Sequence, residues 1–515
     1  MTVSHWLVAP IVLPFITGAC VLLLERPAPR LAAAVSVAAT VALLAIAAAL
    51  LWVAAQGGIE VCLVGNWKAP FGIALALDRL GALMLLVTAL IATAVVGYAR
   101  GDGRGDQQGA HFHALLQFQL MGLNGAFLTA DLFNLFVFFE VLLIASYGLL
   151  LHGGGAPRLR ASVHYVVFNL AASALFLIAV ALLYGLTGTL NMADLARRVA
   201  IAPAHVGPLL QAAALLLLVV FAAKAALLPL YFWLPATYRA AMPPVAALFV
   251  VMTKVGVYCF ARVSSVLFAT EPLRDLTHPW LPLLALGTLL LATLGALAAR
   301  RLPELVAYLV VASAGMLLLA VGLGSERAVA AGVYYLVHSS VAAAGMFLLA
   351  DVLGRGDYGA LQDASLPAAA APATAFVVMA AALAGLPPLG GFIAKAMLLD
   401  ASQPLALAPA VWTIVLVSGL GATVALARTG SRLIWKTGGV VVRSAATPRR
   451  TLADRGAVAL LVGAVIAVAA VAGPLTDYAL ATAHQLARPQ AYIDAVLGAE
   501  PVAPAWNPRA GAEGH

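Results

Sequence analysis

Apolar stretches of about 20 residues recur from one end of the chain to the other, and each could cross the hydrocarbon core of a bilayer as a helix. Of the 515 residues, 63% are hydrophobic and only 10% are charged. No soluble fold buries that much apolar surface. The sequence therefore predicts an all-α polytopic membrane protein. The first stretch, 6–24, has no basic segment before it and no small-residue cleavage site, so we expect a retained helix.

Hydropathy predicts about fourteen transmembrane helices. Their approximate ranges are 4–24, 31–55, 76–99, 113–130, 132–151, 162–186, 208–230, 243–263, 279–299, 303–323, 327–353, 370–397, 408–434 and 456–475. Because this number is even, the sequence predicts that both ends of the chain lie on the same side of the membrane.

Arginines concentrate in loops that alternate along this series of helices. They are Arg26 and Arg30, Arg100 and Arg104, Arg158 and Arg160, Arg300 and Arg301, and a larger group from Arg428 to Arg455. Because loops rich in arginine and lysine stay in the cytoplasm, we expect both termini outside. The formal net charge of +8 thus reflects membrane topology and not a nucleic-acid partner.

Three segments between or after the predicted helices have a character of their own. Residues 56–77 contain short β-like runs around Gly-Asn and predict an external hairpin. The run that begins at Asp194 predicts a short amphipathic helix at the membrane interface. The tail after Leu486 is rich in Pro, Ala and Gly, which favours a loosely ordered segment.

Four ionisable residues lie deep inside predicted transmembrane helices: Glu140, Lys224, Lys254 and Lys395. An ionised side chain at the bilayer centre costs about 2.5–3.5 kcal/mol on insertion scales. Such residues face a protein interior or a water-filled path and commonly belong to routes for protons or ions. Their positions therefore predict a path for charge through the membrane.

Two of the predicted helices are interrupted in a similar way. One break is centred on Pro229 and Pro235, and the other on Pro387, Pro388 and Gly390. Proline removes a backbone donor and crowds the carbonyl four residues earlier. Matched broken helices in corresponding halves of a membrane protein point to inverted repeats with an ion path near the midplane.

The two breaks lie five predicted helices apart, which suits two inverted five-helix repeats. The first repeat is expected over 113–263 and the second over 279–435. Residues 1–112 would then hold the first three helices and the hairpin, and 436–515 the last helix and the tail. In the two helices with breaks, Pro229 would loosen the carbonyl of Ala225, and Pro388 that of Ala384.

A relay needs groups that gain and lose a proton inside the membrane. Burial favours the neutral form of a carboxyl or ammonium group, whereas a nearby opposite charge favours the charged form. Glu140 and Lys224 could therefore work as a switch, both ionised when paired and tending toward neutrality when apart. Lys254, His338 and Lys395 could extend the relay through water, since an imidazole titrates near neutrality and has two nitrogens.

Structural roles for the same residues remain open at this point. Glu140 and Lys224 could form a static ion pair that fixes helix packing, and Lys254 or Lys395 could extend to the membrane surface. The serine neighbours of His338 could satisfy its ring. For Asp78, Asp131 and Asp351, at predicted helix ends, the sequence favours boundary or capping roles; these acids then stand outside the relay.

The sequence predicts no cofactor. Cys20, Cys62 and Cys259 are scattered and odd in number, so they suggest neither a disulfide framework nor a metal cluster. The chain also has no haem-attachment motif and no run of oxygen ligands for a dedicated Na⁺ site.

At the buried charges the chain resembles the D subunit of Mrp-type multisubunit monovalent cation/proton antiporters. The similar motifs are DLFNLFVFFEVLLIASYGLL, YVVFNLAASALFLIAVALLYGLTGTLNMADLA, PLYFWLPATY, PPVAALFVVMTKVGVY and ALARTGSRLIW. The resemblance covers most of the chain, from about Leu80 to Trp435. The family belongs to a superfamily that includes the proton-pumping subunits of complex I, and the resemblance implies a fourteen-helix bundle with two inverted five-helix repeats.

The resemblance also implies roles for the buried residues. Glu140 and Lys224 match the family's essential glutamate and lysine, and Lys254 matches the lysine of its Thr-Lys-Val-Gly motif. His338 matches a histidine of the eleventh helix, and Lys395 the basic residue after the second break.

The chain departs from the family pattern in several places. Tyr231 stands where many relatives have histidine, and Ala236 where they have aspartate. The stretch after His338 lacks the usual basic residue, and the Pro303-Glu304 region lacks a common Asp-x-Lys-Arg pattern. The second half has fewer titratable groups as a result, so either water with Ser313, Ser339 and Ser340 fills the gap or this half conducts differently.

Three functions fit these observations. The first is a subunit that exchanges Na⁺ or K⁺ for H⁺ together with other small membrane subunits. The second is a proton-pumping membrane subunit of a complex I-like or hydrogenase redox complex whose cofactors lie elsewhere. The third is a structural subunit that conducts no ions.

Overall fold

The computed structural model describes residues 3–102, 111–274, 276–278, 280–354, 370–435 and 452–501. Most of these residues are helical, and one two-stranded hairpin is also present. Arg104, most of the predicted arginine group beyond Trp435 and the end of the predicted tail lie outside the described residues.

The N-terminal part contains three long helices and the hairpin. The helices are α1 (Ala9–Leu24), α2 (Pro29–Ala55) and α3 (Arg79–Asp102). Between α2 and α3, strands β1 (Glu60–Leu63) and β2 (Ala74–Leu77) pair antiparallel, with Glu60 opposite Leu77 and Leu63 opposite Ala74.

The next part, called the first unit below, contains seven helices. They are α4 (Phe112–Leu128), α5 (Leu132–Leu151), α6 (Ala156–Thr187), α7 (Met192–Ala200), α8 (Gly207–Ala225), α9 (Trp233–Ala240) and α10 (Pro243–Leu267). Helix α7 has five buried residues beside three basic or acidic ones, so it is amphipathic. Helices α8 and α9 are the two halves of the first broken helix.

The second unit repeats this order without an equivalent of α7. Its helices are α11 (Leu281–Ala298), α12 (Leu302–Gly322), α13 (Glu326–Gly354), α14 (Ala370–Ala384), α15 (Gly390–Ser402) and α16 (Ala408–Gly430). Helices α14 and α15 are the halves of the second broken helix. In both units the broken helix packs on the long helix before it, which is α6 in the first unit and α13 in the second.

The C-terminal part contains three helices: α17 (Leu452–Ala470), α18 (Ala472–Ala487) and α19 (Pro489–Leu497). The expected loosely ordered tail after Leu486 is thus wrong for α19. The composition suggested disorder, but Tyr492, Ile493 and Val496 form a buried helical face. Tyr492 lies over the guanidinium of Arg262, 5.0 Å from it, which anchors α19 to α10.

Twelve helices in the described part of the chain are long and apolar enough to cross a membrane. The other two predicted crossings correspond to α4, which has 17 residues, and to the broken helix formed by α14 and α15. The predicted class of all-α polytopic membrane protein is therefore confirmed. The predicted number of fourteen crossings is not confirmed by helix length and composition.

Helices α10 and α13 form the centre of the bundle. In each, 94% of the most apolar window is buried, compared with 33% in α2 and α17. The outer helices expose large apolar side chains that suit contact with lipid, whereas the two central helices carry Lys254 and His338. Two of the five candidate relay residues thus lie on the best-shielded helices of the fold.

Candidate functional site: a row of buried ionisable groups

The first break separates α8 from α9. Helix α8 ends at Ala225, and Ala226 follows with a left-handed backbone (φ 59°). Side chains bind backbone groups around this interruption, and the Ala223 carbonyl also accepts from the Ala226 N–H (3.2 Å). The Trp233 indole donates to the carbonyl of Ala223 (3.1 Å), and the Leu228 N–H donates to the Thr288 hydroxyl (2.8 Å).

Pro229 lies in this break, but Pro235, which was expected there, does not. Pro235 is the third residue of α9. A proline in the first turn of a helix removes an N–H that has no partner within the helix, so the helix tolerates it. The break is therefore shorter than the spacing of its prolines suggested.

The second break separates α14 from α15 and contains Pro387 and Pro388. Gly390 is the first residue of α15. At Gly391 a side chain would collide with the His338 ring, since an added Cβ would lie 2.8 Å from Nε2. The absence of a side chain there allows α15 to approach α13 closely.

Lys224 lies one residue before the end of α8 and is only 5% exposed. Its ammonium donates a hydrogen bond to the side-chain oxygen of Asn169 on α6 (3.0 Å) and lies 5.7 Å from the centre of the Phe139 ring. The amide oxygen and the ring face both favour a cation. Lys224 is thus held as a donor inside the bundle.

Glu140 on α5 is close enough to interact electrostatically with Lys224, but the two form no ion pair within the described residues. Its Oε1 is buried and has no hydrogen-bond partner there. The static Glu140–Lys224 pair is therefore not the arrangement in this structure.

Lys254 on α10 is fully buried, so it does not extend to the membrane surface. Its ammonium donates to the hydroxyl of Ser313 on α12, and that hydroxyl donates to the Val310 carbonyl (2.7 Å). Gly256, two residues after Lys254, packs against the backbone of Lys224 and Ala225, because an added Cβ would overlap those atoms. Helices α8 and α10 therefore touch where their lysines are located.

His338 on α13 is 1% exposed. Its Nε2 lies 3.0 Å from the Ala382 carbonyl, and its Nδ1 has no partner among the residues described. Ser339 and Ser340 donate instead to the Leu336 carbonyl. These serines therefore do not satisfy the histidine ring, because their hydroxyls donate within their own helix.

Lys395 on α15 uses the backbone that the second break exposes. Its ammonium donates to the carbonyl of Ala384 (2.7 Å), which is the carbonyl expected to be loosened by Pro388. The partner comes from the last residue of α14. Lys395 thus bridges the two halves of its broken helix.

A small cavity of about 30 Å³ joins the residues of the second unit. Its polar lining comes from Thr293, Ser313, Tyr335, His338, Ser339, Lys395 and Ser418. A cavity of this size with several polar partners can hold water. Because Ser313 also binds Lys254, the cavity connects the surroundings of three predicted relay residues: Lys254, His338 and Lys395.

Two of the three aspartates at helix ends, Asp131 and Asp78, have the capping role that the sequence favoured, whereas Asp351 links α13 to α3. Asp131 caps α5 by accepting a hydrogen bond from the Asn134 N–H (2.8 Å). Asp78 accepts one from the Gly81 N–H (2.9 Å), and Asp351 accepts one from the Tyr98 hydroxyl (2.6 Å). These acids lie at the ends of helices and not along the central row.

Sequence reasoning missed two features of this interior. Asn169 was not singled out, although an amide within the apolar run YVVFNLAAS signals a buried hydrogen bond. Arg262, within VYCFARVSS, forms a buried ion pair with Asp78 (2.6 Å). That arginine lies two turns beyond Lys254 on the same helix.

The fold and the buried groups define a polytopic membrane protein with two broken helices that hold ionisable side chains in its interior. The sequence profile of the family described as NADH:quinone oxidoreductase/Mrp antiporter, TM, matches residues 129–423, which is more than half of the chain. The chain belongs to this family.

Individual relatives agree with this assignment. The D subunit of a probable K(+)/H(+) antiporter of Rhizobium meliloti (strain 1021) is 40% identical, over 99% of this chain and 99% of that relative. The D subunit of the Na(+)/H(+) antiporter of Alkalihalophilus pseudofirmus is 37% identical, over 77% of this chain and 80% of its own length. A chain in the structure of the Mrp complex from Dietzia sp. DQ12-45-1b superimposes with a TM-score of 0.86 at 28% identity and covers 97% of this chain and 100% of its own. The resemblance to the Mrp D subunit is therefore confirmed.

Proposed function

We propose that this chain is a subunit of a multisubunit antiporter that exchanges Na⁺ or K⁺ for H⁺. As a transporter subunit it is not an enzyme. The observation that carries the proposal is the pair of broken helices, each with a lysine beside the break: Lys224, which is buried, and Lys395, which is partly buried. Buried ionisable groups of this kind are costly in a membrane and are typical of proton and ion pathways.

The proposed switch operates in the first unit. While Lys224 is bound to Asn169, its charge is not paired directly with Glu140, and each group is free to exchange a proton. If the lysine moves to Glu140, the two charges stabilise each other and both groups stay ionised. A small movement of one side chain would then change the proton affinity of both groups.

The second unit would continue the path. Lys254 and Ser313 lead to the small cavity, and water there would bring His338 and Lys395 within reach of proton transfer. Ser313, Ser339 and Ser418 would take the place of the titratable groups that this half of the chain lacks. We therefore infer a relay in which side chains dominate the first unit and water dominates the second.

We infer that the chain works with other small membrane subunits in the cytoplasmic membrane of a bacterium, with both termini outside and the arginine-rich loops inside. If the exchange moves net charge, the membrane potential would supply about 2.3 kcal/mol per charge for each 100 mV.

A second function is a proton-pumping membrane subunit of a redox complex, which the family description also includes. Protons would follow the same buried groups, but electron transfer on another subunit would drive them. The two functions differ in their energy source, so one experiment can separate them.

That experiment uses everted membrane vesicles containing the complete complex, compared with vesicles in which this subunit alone is missing. We expect addition of Na⁺ or K⁺ to collapse an imposed pH gradient only when the subunit is present. Absence of cation-dependent exchange, together with acidification driven by a reduced electron donor, would favour the redox function instead.

A further inference from the structure

A large cavity opens at the end of the bundle where the loop arginines lie. It is enclosed mainly by α6, α9, α12 and the last turn of α13, and its volume is about 830 Å³. This size falls within the usual range for ligand pockets. The central row of ionisable groups does not use this cavity, since none of those residues lines it.

The lining of this cavity is strongly basic. It includes Arg158, Arg160, His164, Arg239 and Arg301, with Asp351 as the acidic member in the described lining. These basic groups come from three separate elements, so the fold brings together charges that are far apart in sequence. A cavity with this balance favours a negatively charged ligand.

The basic side chains differ in what already holds them. Arg158 donates to the Ala240 carbonyl (3.0 Å) and serves the packing of α6 on α9. Arg239 contacts Glu304 (3.3 Å). Arg160 is exposed, and within the described residues its guanidinium makes no hydrogen bond. His164 is exposed one turn further along α6, and its Nδ1 lies 3.0 Å from the Arg160 carbonyl, which leaves Nε2 for a ligand. Arg160 and His164 are therefore the groups best placed to receive a ligand.

An apolar stripe runs along α6 beside these two groups. Leu159, Val163, Val167 and Leu170 are between 53% and 62% exposed and follow each other at helical spacing. Phe232 is also exposed, and its ring packs against Phe168 with 5.2 Å between centroids. The basic cavity thus continues into an apolar surface that points toward the membrane interior.

We propose that the cavity binds the phosphate headgroup of an anionic phospholipid, whose acyl chains lie along the stripe of α6. Arginines suit phosphate recognition, and basic pockets at the cytoplasmic end of transmembrane helices suit anionic headgroups. A free phosphate ion would use the basic groups but not the adjoining stripe. This inference is independent of the proposed antiport activity.

The test counts bound phosphatidylglycerol by native mass spectrometry on the purified complete complex, after incubation with phosphatidylglycerol vesicles and washing. The double variant Arg160→Gln with His164→Gln should lose at least one retained lipid that the wild type keeps. The matched control is Arg26→Gln with Arg30→Gln, which removes charge from the same end of the bundle outside the cavity. Arg160→Lys should keep the lipid.

Retention of the same number of lipids by the double variant would overturn the proposal. Displacement of the lipid from the wild type by inorganic phosphate at no more than the lipid's own concentration would also overturn it, because the stripe would then add nothing to binding. A photo-crosslinking residue at Val167, in an otherwise unchanged chain, gives a second measurement if the double variant fails to assemble. It should label phospholipid, whereas stoichiometric labelling of a neighbouring subunit would contradict the proposal.

Discussion

Each half of the bundle has a lysine beside its broken helix, but the groups around the two lysines differ. In the first unit, Lys224 binds the side chain of Asn169 and has Glu140 nearby. In the second unit, Lys395 binds the backbone carbonyl of Ala384 and faces a small polar cavity. The first lysine has a carboxylate that can hold its charge, whereas the second depends on backbone and water.

This difference suggests that the two units have different roles in proton transfer. A carboxylate within reach of an ammonium group can stabilise or release its proton according to their separation. A backbone carbonyl cannot change its charge, so the second unit would pass protons without switching. Replacements in the first unit should therefore affect exchange more than replacements around the cavity.

The largest effect is expected from Lys224→Ala. Removal of the ammonium leaves Glu140 without the opposite charge that the switch needs, so cation-dependent H⁺ exchange in everted vesicles should fall to the level of vesicles lacking the subunit. Lys68→Ala is the matched control, because Lys68 is exposed and pairs with Glu500 near the surface (2.7 Å). Normal exchange by an assembled Lys224→Ala complex would contradict the proposal that the first unit controls exchange.

A smaller effect is expected from Asn169→Ala, which removes the acceptor of Lys224 but leaves both charges in place. Hydrogen bonds within membranes are worth roughly 0.6–1.7 kcal/mol, so we expect a drop of roughly three- to twentyfold in exchange rate. Gln117→Ala serves as the control, since Gln117 is also a buried amide but binds Ser36 and Thr40. An equal loss of exchange in both variants would indicate a packing effect instead.

A still smaller effect is expected from Ser418→Ala in the second unit. The Ser418 hydroxyl is buried, lines the cavity and has no partner in the described part of the chain. Its removal takes one polar contact from cavity water, so exchange should fall by about twofold or less. The loss should be compared in the same vesicles with that of Asn169→Ala. A greater loss for Ser418→Ala would indicate that the second unit, and not the first, contributes more to exchange.

The smallest effect on exchange is expected from Asp131→Ala at the start of α5. Loss of a helix cap costs about 0.5–2 kcal/mol of stability, so the thermal unfolding temperature of the complex should fall. Exchange per assembled complex should stay unchanged, and Asp131→Ser should restore most of the stability. A specific loss of exchange without destabilisation would place Asp131 in the ion path.

The sequence predicted the fold class and the broken helices because their signals are local. Apolar length identifies membrane helices, and Pro387, Pro388 and Gly390 interrupt one within a few residues. Pro235 misled the prediction, because a proline near a helix start leaves the same mark in sequence as one within a break. Helix α19 was missed because composition was weighed above the spacing of Tyr492, Ile493 and Val496.

The sequence identified the buried charges but not their partners. Glu140, Lys224, Lys254 and Lys395 stand out because charges are rare in apolar runs. Their contacts depend on which helices are neighbours, and hydropathy carries no such information. Asn169 as the acceptor of Lys224, Ser313 as that of Lys254, and the cavity beside His338 therefore required the three-dimensional arrangement.

The most direct test of the central claim is cation-dependent H⁺ exchange by the complete complex carrying Glu140→Gln. Glutamine keeps the size of the side chain but cannot gain or lose a proton near neutral pH and cannot form an ion pair with Lys224. The control is Glu60→Gln, which changes an acid in the hairpin. We predict that exchange collapses in Glu140→Gln while the complex still assembles. Unchanged exchange in that assembled complex would contradict the relay and leave a structural or redox-complex role for this chain.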